Sequence, residues 1–211
     1  MTALLDSVDH LVCGSKDLEA TVAFLERLLG VRASPGGRHE GRGTRNALIA
    51  LGPRSYLEIV GPDHDQPVPF APRWFGIDDL AGPGLVTWAA GSNDLDRVVA
   101  EGTRHGVVLG PITSGSRLRE DGTTLRWRFT DPNTVVEDGL VPFFIDWGAS
   151  AHPAASAAPG AELIGLRAEH PDSRRVRDRL LGLGVELEVT NRQRPALVAT
   201  IRTRAGTVEL R

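Results

Sequence analysis

The chain is short of cysteine, of lysine and of long apolar runs. Cys13 is the only cysteine among 211 residues, so no disulfide can close within the chain and no thiolate metal cluster can be built. Lys16 is the only lysine, and positive charge comes almost wholly from arginine. A formal net charge of -3 and a pI near 6.1 leave no global positive field to gather phosphate backbones, so nucleic acid is not an expected partner. No stretch approaches the roughly 20 apolar residues that cross a bilayer, so no membrane is expected either. Met1 to His10 carries Asp6 and Asp9 and lacks both the basic segment and the apolar run of a signal peptide; the expected location is the cytoplasm. No serine or cysteine stands in a nucleophile elbow. The glycine-rich run near residue 40 lacks the Lys-Ser/Thr ending of a P-loop and fails the dinucleotide fingerprint as well.

What is present is a pattern that occurs three times. Val8 to Val12 is a short apolar strand signal. Asp17 then opens a segment with Leu18, Val22, Leu25 and Leu29 at helical spacing, closed by Gly30 and Val31. The order returns as Leu85 to Ala90, Asp94, Leu95, Val98, Val99, Gly106 and Val107. It returns again as Leu163 to Ala168, Asp172, Val176, Leu180, Leu183, Gly184 and Val185. The aspartates are 77 and 78 residues apart, and the Asp-to-Gly distances are 13, 12 and 12. Aspartate suits an N-cap because its carboxylate accepts first-turn N–H groups, and glycine suits the C′ position because it enters the left-handed region without a Cβ clash. The spacing predicts helices near Leu18 to Leu29, Leu95 to His105 and Ser173 to Leu183.

Strand-like material follows each helix: Ala47 to Leu51 and Tyr56 to Val60; then Val107 to Leu109, Leu125 to Phe129 and Pro142 to Trp147; then Val185 to Val189, Leu197 to Thr203 and Thr207 to Leu210. Polar stretches, Thr113 to Thr123 among them, separate the strands of the second group. Proline-rich 63–83 and Ala/Ser/Pro-rich 150–160 read as linkers. The expectation is an α+β chain of repeated βαβββ modules, at 1–62, 84–149 and, in shorter form, 161–211. A small sheet with one helix cannot bury both faces alone, so modules should pair. An odd third module either extends the fold with a partial sheet or takes its mate from a second chain as a homodimer.

These modules, the opening Val8-Asp9-His10-Leu11-Val12, and the run Gly36 to Ala47 followed by Tyr56-Leu57-Glu58-Ile59 resemble the glyoxalase-like branch of the vicinal-oxygen-chelate superfamily. The resemblance implies paired modules whose curved mixed sheet encloses a cleft for a small-molecule ligand. In that superfamily the cleft often holds a divalent metal through His on first strands and Glu on fourth strands. His10 and Glu58 fall on those positions and are the candidate catalytic and metal-binding residues. In the second module the same positions become Thr87 and Ile145, with Asp146 facing away; in the third they are Gly165 and Glu209. A complete ligand set is missing, so a divalent ion is expected to be weakly bound or absent.

Four further residues are candidates for substrate binding. His39, Arg45 and Asn46 accompany the glycine-rich run, expected as a loop at the cleft mouth, where arginine forks suit a carboxylate or another anionic or carbonyl-rich ligand. His152, beside Pro153, would close the cleft. Each has a plainer reading: His10 as a hydrogen-bonded core histidine, Glu58 as a solvated strand residue, the glycines as a structural turn. Two functions follow. One is an enzyme acting on a carbonyl or oxygenated small molecule, possible as a lyase, isomerase or dioxygenase. The other is a binding protein that sequesters an aromatic compound against Trp74, Phe75, Trp88, Phe143, Phe144 and Trp147.

Overall fold

In the computed structural model, which describes residues 2–118 and 122–211, the threefold pattern becomes three strand–helix–strand units. After a short helix α1 (Thr2–Ser7), the first unit runs β1 (Val8–Gly14), α2 (Leu18–Leu29), β2 (Ser34–His39), β3 (Thr44–Gly52) and β4 (Ser55–Pro62). The second runs β5 (Gly84–Gly91), α3 (Leu95–Arg104), β6 (Ile112–Leu118), β7 (Thr124–Thr130) and β8 (Phe143–Asp146). The third runs β9 (Ala161–His170), α4 (Ser173–Gly182), β10 (Glu188–Asn191), β11 (Ala196–Thr203) and β12 (Gly206–Leu210).

Helices α2, α3 and α4 start in the same way. Asp17 accepts the Ala20 amide at 2.9 Å, Asp94 the Arg97 amide at 3.0 Å and Asp172 the Arg175 amide at 3.1 Å. Each carboxylate thereby satisfies one first-turn donor that has no partner inside the helix. Beyond the other ends, Gly30, Gly106 and Gly184 take φ of 65°, 69° and 74°, which a Cβ would oppose.

The first two units close into one eight-stranded barrel, ordered β1-β4-β3-β2-β6-β7-β8-β5. Within each half the first strand lies parallel to the fourth, and the halves meet where β1 pairs antiparallel with β5 and β2 with β6. Strand alternation then sorts side chains by face. Leu57 and Ile59 point outward to a core shared with Leu18, Leu25 and Leu29 of α2, while Val12, Val60, Ala89, Leu125, Phe129 and Ile145 fill the interior.

The third unit is built differently. Its strands form a separate sheet, β10-β9-β11-β12, in which β9 takes β10 as its parallel neighbour instead of the last strand. This sheet packs on the barrel of its own chain through β9 beside β3 and β11 beside β5, with Leu163, Val176, Leu180 and Ile201 joining the outer core. Glu209, the sequence counterpart of Glu58, therefore lies on edge strand β12, paired with Arg167 at 3.2 Å and far from any inner face.

Two local expectations are corrected. The glycine-rich segment is the β2–β3 hairpin, with only residues 40–43 left as its turn, because Gly41 and Gly43 supply the left-handed conformations that a tight turn needs. Val107 to Leu109 is not a strand: the Val107 amide bonds back to Gly102 at 2.7 Å as the chain leaves α3. The strand forms instead in the polar stretch after it, as β6, and residues 119–121 of that stretch lie outside the described residues. No helix among the described residues is long and apolar enough to cross a membrane.

Candidate functional site

Inside the barrel the polar side chains gather around one carboxylate. The β1–β4 register sets His10 beside Tyr56 and Val12 beside Glu58, and these residues face inward. His10 stacks on the Tyr56 ring with centroids 4.7 Å apart, which leaves its Nε2 3.7 Å from Glu58 Oε2. His39, at the end of β2, places its Nε2 3.7 Å from the other oxygen, Oε1, and sets Nδ1 2.9 Å from Thr44 Oγ1. Asn46, on β3, donates its amide N–H to Glu58 Oε1 and accepts at its carbonyl from Arg117 Nη1 at 3.1 Å. Arg117, Asn46 and Glu58 are thus joined in one buried chain of hydrogen bonds. Burial pushes the His39 imidazole down to about 4, with Glu58 opposing that shift and Arg117, His10 and Arg42 adding to it. His39 is consequently neutral at pH 7.

The arginine enters the barrel because two glycines make room. A Cβ on Gly36 would collide with Asn46 Oδ1 and stand 3.0 Å from Arg117 Nη1; one on Gly37, at φ 139°, would meet the Leu118 carbonyl oxygen at 2.5 Å. The Gly-Gly pair therefore marks where β2 meets β6 and where the guanidinium passes.

Aromatic rings wall the rest of the site: Trp127 and Phe129 from β7, Phe143 from β8, Trp147 just after it, and Trp74 and Phe75 from the connection between the halves. Trp74 tilts over His39 with centroids 5.1 Å apart, while Arg42 lies 4.9 Å above the Trp74 ring. Phe75 turns inward at φ 65°, a conformation uncommon for an aromatic residue. The free volume left in this cavity is about 30 Å³, which admits a water molecule or two. A larger ligand enters only when the covering rings move.

Four of the six sequence candidates, His10, Glu58, His39 and Asn46, converge on this cavity. Arg45 does not: alternation along β3 turns it outward, to an ion pair with Glu19 of α2. His152 stands behind the site against Asp9 at 3.1 Å and is not among the lining residues. In the second half the position of Glu58 is held by Phe143, not Ile145. Val12 pairs with Glu58, and Ala89, the residue 77 beyond Val12, pairs with Phe143. Arg117 and Tyr56 escaped the sequence reading. Tyr56 is the residue two before Glu58 on the same strand face, a signal that was available; Arg117, inside Gly-Ser-Arg-Leu, carried none beyond the unexplained Gly36-Gly37 pair that admits it.

Among the described residues, no group of three or more His, Cys, Asp or Glu side chains is arranged to hold a metal ion. The donor set agrees. Glu58 Oε1 is engaged by the Asn46 amide, and a cation placed there would displace that N–H and stand close to the Arg117 charge. The residues do not fit a tightly held divalent ion.

Two βαβββ halves closed around histidine and glutamate on first and fourth strands define a protein of the vicinal-oxygen-chelate class. Within that class, residues 8–184 match the family described as the glyoxalase-like domain, and the chain belongs to it. No curated protein matches the sequence. Among solved structures, a hypothetical protein from Staphylococcus aureus shares the fold at TM-score 0.67 and 13% identity, over 96% of this chain and 83% of that one. A methylmalonyl-CoA epimerase from Streptomyces coelicolor, in complex with 2-nitronate-propionyl-CoA, aligns at TM-score 0.45 and 22% identity over 68% of this chain and 98% of its own. The Mycobacterium tuberculosis methylmalonyl-CoA epimerase aligns at 0.44 and 20%, over 70% and 92%. Scores this low say nothing of the present chain's chemistry.

Proposed function

We propose that the protein is a cytoplasmic small-molecule enzyme acting on a carbonyl or oxygenated substrate, with Glu58 moving a proton and His10 facing the group that gains or loses charge. The observation that carries this reading is the placement of Glu58. It is the sole carboxylate among the described lining residues of an aromatic cavity, fixed at one oxygen by Asn46, with the other oxygen open toward His10 Nε2 at 3.7 Å. That gap is too long for a hydrogen bond, and both groups line the same cavity, so one substrate can contact them together. Abstraction of a proton next to a carbonyl would leave an enolate oxygen, whose charge the buried Arg117 would meet without solvent reorganisation, while His10 Nε2 accepts from a substrate hydroxyl. The site does not fit a tightly held metal, and no step runs through one.

A panel of 2-oxo acids, hydroxyketones and aldehydes, incubated in D2O and followed by mass spectrometry, tests the proposal. We expect exchange at the carbon next to the carbonyl for at least one compound, unchanged by chelators and abolished in Glu58→Gln with the fold intact. His10→Ala should act in the same direction. Exchange that survives Glu58→Gln would defeat the reading. The aromatic walls favour a second reading, a protein that sequesters an aromatic compound; in that case ligand binding persists in Glu58→Gln and no compound exchanges.

A further inference from the structure

Asp9 precedes His10 in β1 and is buried with it. The β1–β5 register slips between Val8 and His10, and such a slip re-aims a side chain that regular alternation would send to the opposite face. One oxygen, Oδ1, lies 2.7 Å from His10 Nδ1. The other, Oδ2, accepts from Trp147 Nε1 at 2.9 Å and lies 3.1 Å from His152 Nε2. His152 Nδ1 accepts the Ala154 backbone N–H at 3.2 Å, so that ring is neutral, carries its proton on Nε2 and donates to Asp9. With two N–H donors converging on Oδ2, the Asp9 side chain is held as a carboxylate. An ionised carboxylate only accepts, and the proton it shares with His10 therefore sits on Nδ1.

We propose that Asp9 is the positioning residue of the site: it fixes His10 with a protonated Nδ1 and Nε2 turned to Glu58, and is itself held by Trp147 and His152. This rests on the reading of His10 and Glu58 as the reactive pair. The three donors come from β1, from the exit of β8 and from the turn before β9, so the end of the second unit locks the first strand of the first. His152 thereby acts two residues removed from the substrate, not upon it.

Asp9→Asn separates the roles of the two oxygens. Two N–H donors converge on Oδ2 and one on Oδ1, so the asparagine carbonyl takes the two-donor place and its NH2 faces His10 Nδ1. The proton of His10 must then move to Nε2. Side-chain 15N NMR at neutral pH should show a protonated His10 Nδ1 in the wild type and a bare Nδ1 with a protonated Nε2 in Asp9→Asn. On any compound that the wild type exchanges, kcat should fall by about two to four orders of magnitude with KM little changed, as when an orienting aspartate is neutralised in a hydrolase triad. A bare His10 Nδ1 in the wild type overturns the proposal, as does an unchanged tautomer in Asp9→Asn or a reversed tautomer with unchanged kcat. Should Asp9→Asn fail to fold, the wild-type spectrum alone decides. Exchange that persists in Glu58→Gln sinks the functional reading, while the tautomer comparison still judges Asp9.

Discussion

His39 is a fully buried imidazole whose neutral form the barrel requires, and that has a consequence for acid stability. Its proton affinity falls from an ordinary 6.5 to about 4 on folding, chiefly through burial. Between those values the unfolded chain binds a proton that the folded chain refuses, so acid favours unfolding. The contribution is fully present above pH 6.5, is lost as pH falls toward 4, and amounts to on the order of 3 kcal/mol. Urea denaturation from pH 7.5 down to 4.5 should show this loss in the wild type and a flatter profile in His39→Gln; parallel profiles would refute it. Cys13 is the opposite kind of residue. Burial pushes its thiol up to about 11 despite a hydrogen bond with the Gly84 backbone, which leaves it a small core side chain with no reactive thiolate.

The helices show how much a single side chain decides at the scale of an element. Asp17, Asp94 and Asp172 each satisfy an amide that would otherwise have only water, and the sequence spacing picked out all three. Replacing Asp17 by alanine should cost about 1 kcal/mol, read as a lower urea midpoint with an unchanged slope. No shift would mean that solvent replaces the cap in full. Strands were less legible. β3 and β4 are apolar on alternate or successive residues and stood out, whereas β2 and β6, Ser-Pro-Gly-Gly-Arg-His and Ile-Thr-Ser-Gly-Ser-Arg-Leu, carry the composition of loops. They are strands because closing a barrel supplies hydrogen-bond partners on both sides, and because glycines let β2 and β6 approach closely.

At the scale of the whole molecule, the third sheet is held by more than apolar contact. Glu137, buried at its carboxylate, accepts from Arg175 Nε at 3.1 Å and pairs with Arg179 Nε at 2.8 Å, both on α4. Next to it Asp138 meets His170 Nε2 at 3.1 Å. Glu137 and Asp138 sit at φ 48° and 55°, a left-handed turn that non-glycine residues enter at a cost, offset here by these pairs. The arginines are partly exposed, so solvent screens the attraction, and Glu137→Ala should destabilise docking by about 1–2 kcal/mol. Hydrogen exchange checks it: amides of α4 and β10 should exchange faster while β1 and β4 keep their protection. Equal acceleration throughout would assign Glu137 to global stability instead.

The sequence by itself determined the local grammar of this protein: three capped helices and the strands with apolar faces. Those features depend on neighbours within a few residues, through capping hydrogen bonds and side-chain alternation. Only the tertiary structure decided the rest. It set Arg45 outside and Arg117 inside, because inward or outward facing depends on which strand lies alongside. It gave the place of Glu58 in the second half to Phe143, since register is fixed between strands and not along them. It also built the third unit in another strand order, although its sequence repeats the first two. A barrel of two halves has no open edge left to receive a third, so that unit folded into a sheet of its own.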